Sequence, residues 1–137
     1  MYKFECMNKL FLLLTILITT VRVSAQQDSV QVKQTKTVTG TASFYSLSLN
    51  GTKTASGERF HNDQMTAASN SFKLGTRVKV TNLRNGRTVV VRINDRMHKK
   101  MAKKGRVIDL SRAAAKKLGF IKRGLTKVRV EEISSEE

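Results

Sequence analysis

The sequence predicts a mainly β domain, and three observations carry that prediction. Thr76-Arg77-Val78-Lys79-Val80-Thr81 alternates apolar with polar residues, as a strand with one buried face requires. Thr88-Val89-Val90-Val91-Arg92-Ile93 is β-branched almost throughout. Helical spacing of apolar residues, by contrast, is confined to one short stretch near Leu118.

Taken in chain order, the first strand is expected at Thr41–Tyr45 and the next at Thr76–Thr81. Asn85-Gly86 then marks a tight hairpin turn with positive φ at both positions, leading into Thr88–Ile93. The near-continuous apolar character of that strand predicts fuller burial than in the alternating strand before it. Ser111 is a good N-cap, Arg112 to Leu118 is rich in helix formers, and Gly119 supplies a left-handed stop. The buried stripe of this helix is expected to be Leu110, Ala114, Leu118 and Ile121. A last strand falls at Lys127–Glu131, where alternation returns.

The N-terminus reads differently. Lys3 and Lys9 lead into an apolar run from Leu10 to about Val21, and Val23-Ser24-Ala25 has the small residues a signal peptidase accepts. The run falls short of the ~20 residues of a membrane span. Residues 1–25 are therefore expected to be a signal peptide, with an uncleaved anchor as the alternative. Residues 26–39 should form a flexible linker, 40–133 the globular domain and 134–137 a disordered tail. Export to the periplasm or cell envelope follows, with no stable membrane anchor after cleavage. Cys6, the only cysteine, precedes the apolar run, so the mature chain has no disulfide, no thiol nucleophile and no cysteine-bound metal.

Charge narrows the partner. The full chain carries 26 Lys and Arg against 10 Asp and Glu; removing Lys3, Lys9, Arg22 and Glu5 leaves 23 against 9, or +14. Such a field attracts polyanions. Export favours an anionic envelope polymer over nucleic acid, and six Phe and two Tyr with no Trp give little for base stacking.

Acidic residues are scarce enough to weigh singly. Asp95 ends the Thr88 strand, where scaffolds present functional groups; the alternative is a structural carboxylate bonded to Arg96 or to loop amides. Asp109 lies between apolar residues just before the helix, so a bond to the helix start competes with chemistry. Glu58, in Thr54-Ala55-Ser56-Gly57-Glu58, reads alone as a surface acid. His61 and His98 have no metal-ligand spacing, so no metal site is expected. His98 belongs to a loop with Lys99, Lys100, Lys103 and Lys104, read either as a solvated cationic surface or as a basic lip beside Asp95.

Several segments, in order, carry a family resemblance: Gly40-Thr41-Ala42-Ser43-Phe44-Tyr45, Thr54-Ala55-Ser56-Gly57-Glu58, Thr66-Ala67-Ala68, Leu74-Gly75-Thr76, Ile93-Asn94-Asp95-Arg96 and Ile108-Asp109-Leu110-Ser111. Together they resemble the rare lipoprotein A (RlpA) family of septal-ring lytic transglycosylases. The resemblance implies a six-stranded double-psi β-barrel, like that of expansins and barwins, with one or two short helices, acting as a monomer and without a cofactor. It also implies cleavage of peptidoglycan glycan strands between N-acetylmuramic acid and N-acetylglucosamine, with peptide-poor strands preferred and a 1,6-anhydromuramic acid end left behind. By motif match Asp95 is the catalytic acid, Glu58 a second carboxylate and Asp109 a further catalytic residue. Tyr45, Ser69, Arg96 and His98 are expected to bind substrate. The sequence departs from the family pattern in having Ser69 where a His commonly follows Thr-Ala-Ala, and Met97-His98 where Gly-Pro commonly follows Asp-Arg. Serine can hydrogen-bond but cannot shuttle a proton near neutrality, which leaves a non-catalytic wall-binding module as the alternative function.

Overall fold

In the computed structural model, residues 35–134 are described. The expected signal peptide, most of the expected linker and the last three residues of the tail lie outside them. Six strands are present: β1 Thr37–Phe44, β2 Thr66–Ala68, β3 Arg77–Asn82, β4 Thr88–Asp95, β5 Arg106–Leu110 and β6 Thr126–Glu132. Two helices, α1 Lys99–Lys103 and α2 Arg112–Leu118, flank β5, and a 3-10 turn covers Leu47–Leu49. β1 starts three residues ahead of the expected domain boundary, because Thr37, Val38 and Thr39 pair with Glu131, Val130 and Arg129 of β6.

The strands close into a barrel in the order β1-β5-β2-β4-β3-β6. β1 with β5 and β2 with β4 run parallel, and the other four pairs are antiparallel. Closure leaves no free edge, and inward side chains fill the interior. Val78, Val80, Val91, Ile93, Ile108, Leu110, Val128 and Val130 are all buried there. α2 covers one side with Ala114, Ala115 and Leu118; Ser111 accepts the Ala114 amide as its N-cap, and Gly119 closes it at φ 76°.

Three expectations from the sequence need correction. β4 is not more fully buried than β3: Val89, Val91 and Ile93 point inward while Thr88 and Val90 are exposed, since the barrel wall has solvent outside. The Asn85-Gly86 turn is not a two-residue hairpin. Only Gly86 has positive φ, and the Gly86 amide donates to the Asn82 carbonyl across a longer loop. Asn85 keeps ordinary backbone angles while its side chain accepts from the Arg87 amide and donates to the Leu118 carbonyl, fixing the loop onto α2. Leu110 belongs to β5 rather than to the helix, and Ala115 takes its place in the buried stripe.

At Gly40, β1 leaves no room for a side chain beside β5. A Cβ there would fall 2.4 Å from a Val107 methyl and 3.0 Å from the Gly105 carbonyl oxygen. The Thr41 amide donates to that same carbonyl at 3.0 Å.

Candidate active site

The rim of the barrel carries two of the expected carboxylates in one transverse row. Ala68 of β2 is paired with Asp95 of β4 on one side and with Asp109 of β5 on the other, and Asp109 is paired in turn with Ser43 of β1. Two strand spacings separate the backbones of the two aspartates, roughly 10 Å. A register shift at Ala67/Ala68 lets β4 skip Asn94, so that Ile93 and Asn94 are both buried and Asp95 comes out half-buried at the rim. Bulges commonly re-aim a side chain in this way.

Asp95 is held by three donors from three stretches of chain. Its Oδ1 accepts the amides of Ala55 at 2.9 Å and Arg96 at 2.8 Å, and its Oδ2 accepts the Tyr45 hydroxyl at 2.6 Å. A carboxylate has about four acceptor directions, so Oδ2 keeps capacity for a further partner. Burial and the adjacent Asp95 raise the Tyr45 pKa far above that of a free phenol, so Tyr45 remains a donor. The Tyr45 ring lies against Phe60, with centroids 4.1 Å apart.

Asp109 has a different environment. Its Oδ1 accepts from Arg106 Nη2 at 2.5 Å and from the Ser43 hydroxyl, and Arg106 reaches Ser43 as well. The two side chains retain only 21% (Arg106) and 14% (Asp109) of their exposure, so this is a shielded pair. The expected alternative of a bond to the α2 start is not realised, because Asn62 Oδ1 accepts the Arg112 amide and the Asn62 carbonyl accepts that of Ala113.

Glu58 is exposed and forms a two-pronged pair with Arg92, both contacts at 2.8 Å. That guanidinium, and more weakly Asn94 Nδ2 at 3.4 Å, holds its carboxyl below the usual carboxylate range. Glu58 is therefore ionised at neutral pH and is not a proton donor there. Its loop nevertheless borders Asp95, since the Ser56 amide donates to the Asn94 carbonyl and the Ala55 amide to Asp95 itself.

The expected binding residues divide. Tyr45 joins Asp95. Ser69 is fully buried, its hydroxyl donating to the Val107 carbonyl at 2.8 Å and accepting the Ser71 amide, so it is not offered to a ligand. Arg96 points away from the Asp95 carboxylate: Nη1 donates to the carbonyls of Ser69, at 2.5 Å, and Phe72, bracing the loop after β2. His98 caps α1, its Nδ1 accepting the Lys100 amide at 3.2 Å. Ser43, Arg106 and the Ala55 amide were missed by sequence reasoning. The β1–β5 register that joins the first two to Asp109 is not written in local pattern. Among the described residues, no group of three or more His, Cys, Asp and Glu could hold a metal.

A closed barrel of this strand order, with an aspartate clamped at its rim, defines the domain as a double-psi β-barrel. It is similar to Streptomyces papain inhibitor (25% identity, TM-score 0.57, 72% of this chain and 96% of that one) and to an expansin of Clavibacter michiganensis (26%, TM-score 0.58, 74% and 52%). The expansin has also been solved as a variant in complex with cellohexaose. Residues 37–130 match the model of the lytic transglycolase family, and the chain belongs to that family, among RlpA-like proteins. It is 55% identical over 94 residues to a probable endolytic peptidoglycan transglycosylase RlpA of Nostoc sp., covering 67% of this chain and 24% of that protein. Endolytic peptidoglycan transglycosylases RlpA of Pasteurella multocida (53%; 67% and 30%) and Neisseria meningitidis (43%; 71% and 39%) are also similar. The chain thus spans between about a quarter and two-fifths of the length of these curated relatives.

Proposed function

We propose that this chain is an exported lytic transglycosylase that cleaves peptidoglycan glycan strands between N-acetylmuramic acid and N-acetylglucosamine. The observation that carries this reading is Asp95: half-buried at the rim, held on Oδ1 by two amides, with Oδ2 against Tyr45 and free to meet a linkage oxygen. In this reaction the muramyl 6-hydroxyl replaces water as nucleophile, so one carboxyl group serves twice. Protonated Asp95 donates from Oδ2 to the leaving glycosidic oxygen, and the same oxygen then removes the proton from the attacking hydroxyl. Tyr45 keeps Oδ2 oriented through both steps. Asp109, fixed by Arg106 and Ser43, and ionised Glu58 supply negative charge near the oxocarbenium-like sugar. Lys99, Lys100, Lys103 and Lys104, on and just after α1, form the basic lip that attracts an anionic strand.

A second reading, binding without cleavage, is favoured by Ser69: the family's imidazole position holds a buried hydroxyl. One experiment separates the two. The mature chain is incubated with peptide-free glycan strands, and anhydromuramyl ends are sought by mass spectrometry, with Asp95→Asn in parallel. Products from the wild type, reduced by about 10²–10⁴-fold in the variant, support the enzyme. Pull-down of glycan without such products, where an active relative forms them, leaves the binding module.

A further inference from the structure

Besides the lysines of α1, the barrel carries a second cationic surface where β3 turns into β4 and α2 leads into β6. Arg84 and Arg87 belong to the first connection, Lys116 and Lys117 close α2, and Lys122, Arg123 and Lys127 follow it. All seven are exposed, and residues 83–87 and 116–127 include no acid. Hydrogen bonds join the two segments into one surface: Asn85 Nδ2 donates to the Leu118 carbonyl at 2.9 Å, and the Leu83 amide to the Lys127 carbonyl at 3.0 Å. Arg87 crosses Gly119 so closely that a Cβ there would fall 2.9 Å from its Nη1. Lys116, Lys122 and Arg123 line one hollow. Among the described residues none of the seven forms an ion pair, whereas Arg92, Arg106 and Arg129 each have a carboxylate partner. Two leucines stand among these cations, Leu83 being 45% and Leu125 50% exposed.

We propose that this surface docks the protein on an anionic lipid bilayer. Lysines and arginines with no acid among them attract headgroup phosphates, and exposed leucines between them enter the boundary with the acyl chains. Both features are used only by that partner. A soluble phosphate polymer would engage the cations and leave Leu83 and Leu125 in water. A protein partner would be met by aromatic or methionine anchors rather than by four lysines, a residue that protein interfaces avoid. The contact is reversible, because two side chains inserted at the boundary bury far less apolar surface than a spanning helix. Export, as proposed above, is what brings the barrel beside a membrane, and the biological role rests on that reading; the affinity itself does not.

The test is co-sedimentation with vesicles of the chain from Gln26 onward, which keeps every strand of the barrel and lacks the apolar run from Leu10. Binding to vesicles of phosphatidylglycerol and phosphatidylethanolamine should exceed that to phosphatidylcholine alone by at least about tenfold. Lys122→Glu with Arg123→Glu should weaken it by about tenfold or more. Lys53→Glu with Lys73→Glu, which changes net charge equally at exposed positions outside this surface, should leave it nearly unchanged. Leu83→Ser with Leu125→Ser should weaken vesicle binding several-fold while binding to soluble inorganic polyphosphate stays at the wild-type level. Equal losses from the two charge reversals would assign the binding to net charge, and a leucine variant that binds vesicles like the wild type would assign it to phosphate alone. Either result overturns the proposal, as does failure to bind the anionic vesicles. Cleavage of peptide-free strands by the same variants, measured alongside, reports separately on the catalytic reading.

Discussion

Tyr45 and Asp95 are joined at the barrel rim by a 2.6 Å hydrogen bond, and the phenol has a measurable signature. Burial and the neighbouring carboxylate raise its pKa in the folded state, so above about pH 10 the unfolded chain loses a proton that the native protein keeps. Stability contributed by Tyr45 is therefore complete below that pH and declines above it, with a slope approaching about 1.4 kcal/mol per pH unit for one proton. Denaturant unfolding between pH 8 and 11 should show a shallower alkaline decline for Tyr45→Phe than for the wild type. Equal slopes would mean that the hydroxyl is not shielded. Residue-level reading of the sequence singled out Asp95 and Tyr45 because both sit in family segments, and the structure joins the two by a hydrogen bond. It could not foresee where the side chains of Ser69, Arg96 and His98 turn, because their direction is set by structural partners. The Ser69 hydroxyl turns to Val107 on β5 and the Arg96 fork turns to two loop carbonyls, contacts between segments 38, 27 and 24 residues apart.

Among the elements, legibility followed local pattern. β3, β6 and α2 were readable because alternation, or a cap and a glycine stop, is written within each segment. β2 has only Thr66, Ala67 and Ala68, too short a run and with two alanines of little strand preference, and is defined by its neighbours β4 and β5. α1 was read as a basic loop since its five residues bury no side chain. Gly40 is where element packing is most exacting. In Gly40→Ala the new methyl meets both a Val107 side chain and the Gly105 backbone, so β1 must move away from β5. A loss of about 1–3 kcal/mol is expected in urea unfolding. That shift also displaces Ser43 from Asp109, so activity should fall at temperatures where the variant is still folded.

For the whole molecule, the excess of 26 Lys and Arg over 10 Asp and Glu predicts an association that weakens as salt rises. Affinity for isolated wall glycan bearing stems should drop several-fold between 50 and 300 mM salt, and salt-independent binding would remove the electrostatic account. The overall fold was legible through the ordered family segments rather than through strand pattern alone, since barrel order depends on pairings between distant strands. The clamp around Asp95 draws on positions 50 and 40 residues earlier in the chain. A half-folded chain, with these segments still apart, does not assemble it. Recovery of bond-breaking capacity during refolding should accordingly lag behind the early optical signals and coincide with the slowest one, making turnover a reporter of barrel completion.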